Sequence, residues 1–232
     1  RVGGVEAQAG RLVGVRGHFE GPAVPDADGT AGRIADGAEF AVRCERAVLA
    51  AGAWSASDIA WPASPIAIRP VKGQVVRLRG PVLLRHVVRA PEAYLVPRRG
   101  GELVVGATME EQGFDAAATA GAAMDLLWRA RLVVPATYDL ELVEMNVGFR
   151  PATRDHLPLI GETEVPGLYV ATGHFRHGVL LAPATALLVA DLLVEGRESP
   201  LLTAFRPSAA RAHAGGPGPS VEPAAGHRGA PA

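Results

Sequence analysis

The sequence predicts a mixed α/β fold, and three features support this prediction. A short apolar strand in RAVLAAGAW ends at Gly52, as a buried parallel strand ends in a turn. In residues 71–106, short runs of β-branched and aromatic residues alternate with period two between Gly and Pro, which is typical of an antiparallel sheet. GLYVATG, residues 167–173, is a further short apolar strand, and a long apolar helix follows it.

The other elements follow from the same patterns, taken in chain order. The chain up to about residue 50 has the character of strands joined by loops rich in Gly, Asp and Pro. Apolar residues recur at helical spacing between positions 116 and 134, and Pro135 ends the pattern, so one helix is expected there. Residues 142–149 return to the character of a strand.

The most apolar run, residues 179–194, contains Pro183 and Asp191. It falls short of the about 20 uninterrupted apolar residues that span a bilayer, so a buried core helix is predicted rather than a membrane span. No signal peptide is visible at the start of the sequence. Residues 207–232, rich in Ala, Gly and Pro, are predicted to be disordered.

The composition is that of a soluble globular protein. Of 232 residues, 48% are hydrophobic and 20% charged, enough for one large domain or two smaller ones. A formal net charge of -1 gives no electrostatic reason to expect nucleic acid or an anionic membrane as a partner. The single cysteine, Cys44, allows neither an intrachain disulfide nor a multi-cysteine metal site, and it is consistent with a cytoplasmic location.

Arg150 lies in GFRPATRDHLPLIG, where two prolines and two outer glycines restrict the backbone. A carboxylate is planar and accepts two parallel hydrogen bonds, so an arginine on a rigid strand end can orient an amino acid or another carboxylic acid. A structural salt bridge with Asp155 or Glu144 is equally consistent with the sequence.

Further candidates lie in neighbouring elements. Tyr94, in YLVPR, could hold the same carboxylate with its hydroxyl, although a core tyrosine is the commoner case. Met109, in GATM, could line an apolar pocket or fill a gap in the core. Arg176 lies between His174 and His177 in the loop before the long helix. These two histidines lack a third ligand at credible spacing, so no metal site is predicted.

The start of that long helix, near Gly178, is the other candidate site. A helix N-terminus exposes unpaired N–H groups and a partial positive charge, which attract a phosphate or another anionic acceptor. A tight strand-to-helix connection without any ligand is the alternative, and this stretch taken alone favours it.

Three common phosphate-binding or catalytic signatures do not occur in the sequence. Ser55, in GAWSAS, lacks the second glycine of a nucleophile elbow. No P-loop occurs, and no GxGxxG follows an opening strand. Because the sequence also begins with Arg1, we expect a fragment without its dinucleotide cradle.

Six stretches, in this order and at similar spacing, resemble the amino-acid-oxidase family of FAD-dependent oxidoreductases, which includes D-amino-acid oxidases. They are AVLAAGAWS, RPVKGQVVRL, YLVPR, LVVGATMEEQGFD, GFRPATRDHLPLIG and GLYVATGHFRHGVLLAPATALLVADLL, and they cover roughly residues 40–206. GATM, GHFR and LLAPAT favour the branch that oxidises glycine in thiamine biosynthesis. The sequence departs from the family pattern at Phe149, usually leucine, and at His177, usually asparagine.

The resemblance implies a bilobed protein. An FAD-binding lobe with a mostly parallel sheet, incomplete at its N-terminus, would comprise residues 1–68 and 145–206. It would be interrupted by a substrate-binding lobe with an antiparallel sheet, residues 69–144. The residues that match FAD contacts are Gly52, Ala53, Trp54, Gly148, Gly173, His174, Phe175, Arg176, His177, Gly178, Val179 and Leu180.

The resemblance also implies roles and a reaction. Arg150 would hold the substrate carboxylate with Tyr94, while Met109 and Arg176 would line two sides of the pocket. A hydride would pass from the α-carbon of glycine or a small amino acid to the flavin, and water would hydrolyse the resulting imine to the oxo acid. Molecular oxygen would reoxidise the flavin and leave as hydrogen peroxide. Such chemistry depends more on orientation than on a protein acid or base.

Three alternatives stay open from the sequence. The first is a related D-amino-acid or sarcosine oxidase, and the second is a dehydrogenase that passes electrons to a quinone. The third is a truncated, catalytically silent protein or binding module. Assembly into a homo-oligomer is also left open.

Overall fold

The structure is a computed structural model that describes residues 2–18, 38–56, 66–91 and 93–207. Apart from its first residue, the predicted disordered tail lies outside the described residues. In chain order the strands are β1 (Val2–Gln8), β2 (Arg11–His18), β3 (Glu39–Arg43), β4 (Ala47–Leu49), β5 (Arg69–Arg79), β6 (Val88–Arg89), β7 (Tyr94–Pro97), β8 (Glu102–Gly106), β9 (Glu141–Ala152), β10 (Leu159–Glu162) and β11 (Leu168–Thr172), and the α-helices are α1 (Ala120–Val133) and α2 (Gly178–Ala190).

These strands form three sheets, which confirms the mixed α/β class. The first is an antiparallel meander in the order β1-β2-β3, and the second has the order β10-β11-β4. The third is a five-stranded antiparallel sheet in the order β6-β7-β8-β5-β9, as the period-two pattern predicted. Among the described residues, the parallel component expected of the FAD-binding lobe is the pairing of β11 with β4. The five-stranded sheet lies between these two strands in the sequence and so forms part of the long crossover that parallel strands require.

Strand β5 organises the five-stranded sheet. It pairs with β9 from Arg69 to Arg79 and with β8 only from Val75 onward. Because side chains alternate across a sheet, Val76 and Leu78 lie on one face and Gly73 and Val75 on the other. The first face packs on α1 and forms the largest core, made of Val76, Leu78, Leu95, Leu103, Val105, Leu126 and Ala130.

A capping residue before helix α1 and a proline after it explain where the helix begins and ends. The Thr119 side chain accepts a hydrogen bond of 3.3 Å from the backbone N–H of Ala122, which caps the first turn. Pro135 comes two residues after the last residue of the helix and cannot continue it, because its ring clashes with the preceding turn. The observed helix lies within the predicted region 116–134.

The predicted burial of residues 179–194 is wrong for the described structure. Helix α2 continues through a π-helical turn, Asp191–Glu195, and the chain leaves it at Gly196. Val189 is buried against β10, but Val179 is 94% exposed and Leu187 71% exposed. An apolar composition indicates a preference for apolar surroundings, but it does not say which element supplies them. Within the described residues only one side of α2 is covered.

By length and composition alone, the helical segment Phe175–Glu195, with a mean hydropathy of 1.8, could cross a membrane. One such segment is weak evidence, because core helices of soluble proteins have the same composition.

The two-lobe division stays a prediction. The boundary at residues 68 and 69 coincides with the start of β5. The boundary at residues 144 and 145 falls inside β9, which pairs with β5 along its whole length. Strand β9 therefore connects the two proposed lobes without a break.

Candidate functional site

The candidate site lies on the face of the five-stranded sheet opposite α1. The register pairs Arg150 with Val71, and Gly106 with both Val75 and Tyr94. Residues paired in this way share a face, so Arg150 and Tyr94 lie on the same side of the sheet. Both side chains are partly buried.

Arg150 is a partly buried cation that forms no salt bridge with an acidic side chain of the described residues. Its Nη1 atom donates to the backbone carbonyls of Lys72 at 3.3 Å and of Thr108 at 3.2 Å. Burial lowers the pKa of the Arg150 guanidinium below its usual value, and the positive charge of Arg176 lowers it further, while Tyr94 and the Glu110 carboxylate raise it. The guanidinium is thus held by carbonyl oxygens without a salt bridge to a described carboxylate, and an anion from a ligand would offset the cost of its partial burial.

The two salt bridges considered for Arg150 are not formed. Glu144 pairs instead with Arg77, near the other end of the sheet. Asp155 accepts hydrogen bonds from the Thr153 hydroxyl and from the backbone N–H of Leu157, and so shapes the turn after β9.

Two glycines make room for the two site side chains. A Cβ atom on Gly73 would lie 2.4 Å from the Arg150 guanidinium nitrogens. A Cβ atom on Gly106 would lie 2.3 Å from the Tyr94 hydroxyl oxygen. Real Cβ atoms do not approach so closely, so both positions must be glycine for the side chains to lie as they do.

Met109 belongs to the loop that follows β8. Beside β5 this loop replaces β8, because Glu110 forms a bridge with Lys72. The side chains of Thr108 and Glu110 both contact Gln74, on the α1 side of the sheet. Since side chains alternate along an extended segment, Met109 lies on the face of Arg150.

Arg176 lies in a 3-10 turn, Phe175–His177, that directly precedes α2. It is exposed, and it is close enough to influence the pKa of Arg150. The structure therefore brings Arg150, Tyr94 and Arg176 together, with Met109 on the same face of the sheet. The roles assigned to these four residues stay predictions.

Apart from Gly148, which lies in β9, the candidate cofactor residues follow the carboxyl ends of β4 and β11 in the second sheet. Strands β4 and β11 are parallel, so their carboxyl ends meet there, which is where open α/β sheets bind ligands. The turn Gly52–Ala56 follows β4, and its Ser55 hydroxyl contacts the Thr172 hydroxyl at 2.8 Å. Thr172 also donates to the Gly52 carbonyl at 3.1 Å, which fixes the turn to the end of β11.

Within that turn, Ala53 is buried and Trp54 is half-exposed. The Trp54 ring stacks on Phe114 with centroids 5.6 Å apart and meets the edge of Phe149 at 6.0 Å. These three rings form an aromatic cluster that joins the turn after β4 to the five-stranded sheet.

Two of the candidate side chains before α2 contact other side chains of this protein. The His174 ring contacts the Thr185 hydroxyl at 3.0 Å, and burial lowers the pKa of His174. The Phe175 ring stacks on His156 with centroids 4.4 Å apart. Gly173, with a φ of 78°, allows the chain to turn from β11 into this segment.

The other candidate cofactor residues lie at the start of α2 or in β9. Neither the 3-10 turn nor α2 has a side-chain cap or an acidic residue in its first turn. Gly148 has open space where a Cβ atom would lie. His177, Val179 and Leu180 are exposed, and Gly178 begins the helix.

Two buried polar residues were not predicted. Lys72 and Gln74 are fully buried in β5, and both bind the loop that carries Met109. Their signal in the sequence is a lysine and a glutamine inside RPVKGQVVRL, a strand that is otherwise apolar at these alternate positions.

A partly buried guanidinium thus lies on one face of the five-stranded sheet, and turns that contain glycine follow the parallel strands β4 and β11. The chain belongs to the family of FAD-dependent oxidoreductases, whose sequence profile matches residues 2–192. Glycine oxidase of Geobacillus kaustophilus is 43% identical over 173 residues, which cover 73% of this chain and 46% of that protein. Its crystal structure superposes with a TM-score of 0.67 at 41% identity, over the same shares of the two chains.

The bifunctional protein ThiO/ThiG of Nostoc sp. is 43% identical over 169 residues, which cover 71% of this chain and 25% of that protein. The chain therefore spans less than half the length of these two relatives.

Proposed function

We propose that the chain forms the substrate-binding part, and part of the FAD site, of an oxidase that deaminates glycine or another small amino acid. This proposal divides it into the FAD-binding segments 1–68 and 145–206 and the substrate-binding segment 69–144. The similarity to glycine oxidase and to ThiO/ThiG supports this substrate and a place in thiamine biosynthesis. A cytoplasmic location fits such a biosynthetic enzyme.

The observation that carries the proposal is the guanidinium of Arg150. It is partly buried, it lies on a strand that is paired with β5, and it forms no salt bridge with a carboxylate of the described residues. Its Nη1 atom is held by two backbone carbonyls. A substrate carboxylate would neutralise this charge, and the Tyr94 hydroxyl on the same face could donate a further hydrogen bond.

The edge formed by β4 and β11 fits a flavin in the part of the site that this chain supplies. The turn Gly52–Ala56 and the segment 173–180 meet there, and the uncapped helical start offers N–H donors. Bound there, FAD would supply the acceptor for the substrate hydride and for the negative charge that accompanies it. The N–H groups and the helix dipole would stabilise that charge.

The residues of the chain would act by orientation. Arg150 and Tyr94 would fix the carboxylate, Met109 would limit the space beside the α-carbon, and Arg176 would close the other side. Fixing a substrate in a reactive geometry can supply a large part of the lowering of a reaction barrier. No acid or base from the chain is needed for this positioning.

Replacement of Arg150 tests the proposal in the full-length enzyme. We expect Arg150→Gln to raise the KM for glycine by about 10-fold to 100-fold, because it removes a charge-assisted hydrogen bond. Hydrogen peroxide release measures the rate. A matched control is Arg79→Gln, which removes the charge of an exposed arginine paired with Glu102 at the far end of β5.

An unchanged KM in Arg150→Gln would contradict the proposed carboxylate site. A full-length protein without flavin absorbance would contradict the oxidase itself.

A further inference from the structure

Lys72 is a charged side chain at a core position. It lies on the α1 side of β5 and is fully buried. Its Nζ atom donates to Asp115 Oδ2 at 2.8 Å and to the Ala117 carbonyl at 2.6 Å. Desolvating an ammonium is costly, and a hydrophobic residue at such a position is often the more stable choice. A buried lysine with these contacts is therefore a candidate for a residue that positions the segment it binds.

Gln74, two residues further along β5, makes a second set of contacts with the same segment. Its Nε2 atom donates to Glu110 Oε1 at 2.8 Å and to the Thr119 hydroxyl at 3.2 Å. Its Oε1 atom accepts from the Thr119 backbone N–H at 2.9 Å. The backbone N–H of Gln74 also donates to the Thr108 hydroxyl at 2.9 Å.

Every partner of these two side chains lies in residues 107–119, which we call the site loop. The site loop carries Met109, and its Thr108 carbonyl accepts the hydrogen bond that helps to hold Arg150. The contacts of Lys72 and Gln74 lie on one side of the sheet, while Met109 and Arg150 lie on the other. Lys72 and Gln74 thus hold the site loop from the face of the sheet opposite Arg150.

We propose that Lys72 and Gln74 are positioning residues that hold the site loop against β5 and thereby restrict the pocket to substrates with small side chains. This inference rests on the proposed function. With the loop fixed, Met109 lies at one distance from the bound α-carbon. A loosened loop lets Met109 move away, which admits a larger side chain and weakens the hold on Arg150.

The test uses the Lys72→Met variant of the full-length holoenzyme, because methionine keeps most of the buried stem and removes the charge. Glycine, D-alanine and D-valine are compared as substrates. We expect the KM for glycine to rise about tenfold, as for loss of a charge-assisted contact, with kcat for glycine within about twofold. The ratio of kcat/KM for D-valine to that for glycine rises about tenfold for the same reason.

Three further variants separate positioning from general stability. Glu111→Gln is the matched control, since Glu111 lies in the same loop but forms an exposed ion pair with Arg69 at 3.3 Å. It leaves the selectivity ratio unchanged. Lys72→Arg keeps the charge and restores part of the selectivity. If Lys72→Met does not fold, Asp115→Ala removes the half-exposed partner instead and shifts the ratio in the same direction.

A lowered melting temperature with an unchanged selectivity ratio in Lys72→Met or Asp115→Ala overturns the proposal. If the wild-type enzyme oxidises no amino acid, the proposed function fails, and amide hydrogen exchange of residues 107–119 decides the positioning role by itself. Faster exchange in Lys72→Met but not in Glu111→Gln supports that role. Equal exchange in both variants overturns it.

Discussion

Gly73 determines where the charge of Arg150 can lie. The guanidinium occupies the space that any side chain at position 73 would fill. Gly106 has the same relation to the Tyr94 ring. The positions of the Arg150 and Tyr94 side chains therefore depend on the absence of a side chain at Gly73 and Gly106.

The variant Gly73→Ala separates site geometry from stability. The three atoms nearest to the new Cβ atom would belong to the flexible end of Arg150, the closest 2.4 Å away, so we expect the arginine to move rather than the backbone. We expect the KM for glycine to rise about tenfold, as for loss of a charged hydrogen bond, with little change in melting temperature.

Gly121→Ala, in α1, is the control, because a Cβ atom there meets no atom within 4 Å. An unchanged KM in Gly73→Ala would show that the position of the guanidinium does not govern substrate binding.

At the scale of elements, the ion pair between Lys72 of β5 and Asp115 of the site loop makes the stability of the protein depend on pH. The hydrogen bond from Lys72 and the backbone N–H of Ala117 lower the pKa of the Asp115 carboxyl below its usual range. An aspartate in an unfolded chain has a pKa of about 3.9. The stabilisation that the charged Asp115 gives through these hydrogen bonds is therefore complete above that pH, and it is lost as the pH falls through the lower pKa of the folded state.

We therefore expect the stability difference between wild type and Asp115→Asn to be present at neutral pH and to shrink below about pH 4, the usual range for an aspartate. Urea unfolding of the full-length protein at several pH values measures it. Glu111→Gln serves as the comparison on the same loop. A difference that stays constant down to about pH 3 would contradict the role of this carboxylate.

At the scale of the whole molecule, α2 leaves an apolar surface exposed. Leu187 is 71% exposed and Val194 76% exposed, on a helical segment with a mean hydropathy of 1.8. Contiguous apolar surface of this kind promotes association between molecules. The same segment is covered by β10 only around Val189.

We expect the 232-residue chain of this sequence to self-associate, and the double variant Leu187→Gln and Val194→Gln to associate less. Sedimentation velocity at several concentrations measures this. Val82→Gln is the control, since Val82 is equally exposed but lies outside the helix. A monomeric wild-type chain at all concentrations would contradict the prediction.

The sequence by itself determined the mixed α/β class, the antiparallel sheet, α1 and the family. These follow from local periodicity, from Pro135 as a stop signal and from motifs such as GFRPATRDHLPLIG, all of which act over short stretches of chain. It also singled out Arg150, Tyr94, Met109 and Arg176 as candidates.

Only the tertiary structure decided what each of these residues contacts. Arg150 lies 78 residues from Lys72 in the chain. The register of β9 against β5 places Glu144 beside Arg77, so that Glu144 does not form a salt bridge with Arg150. The buried pair Lys72 and Gln74, and the exposed side of α2, likewise depend on which distant elements pack together. Such contacts are set by packing across the whole chain, and no local pattern of residues specifies them.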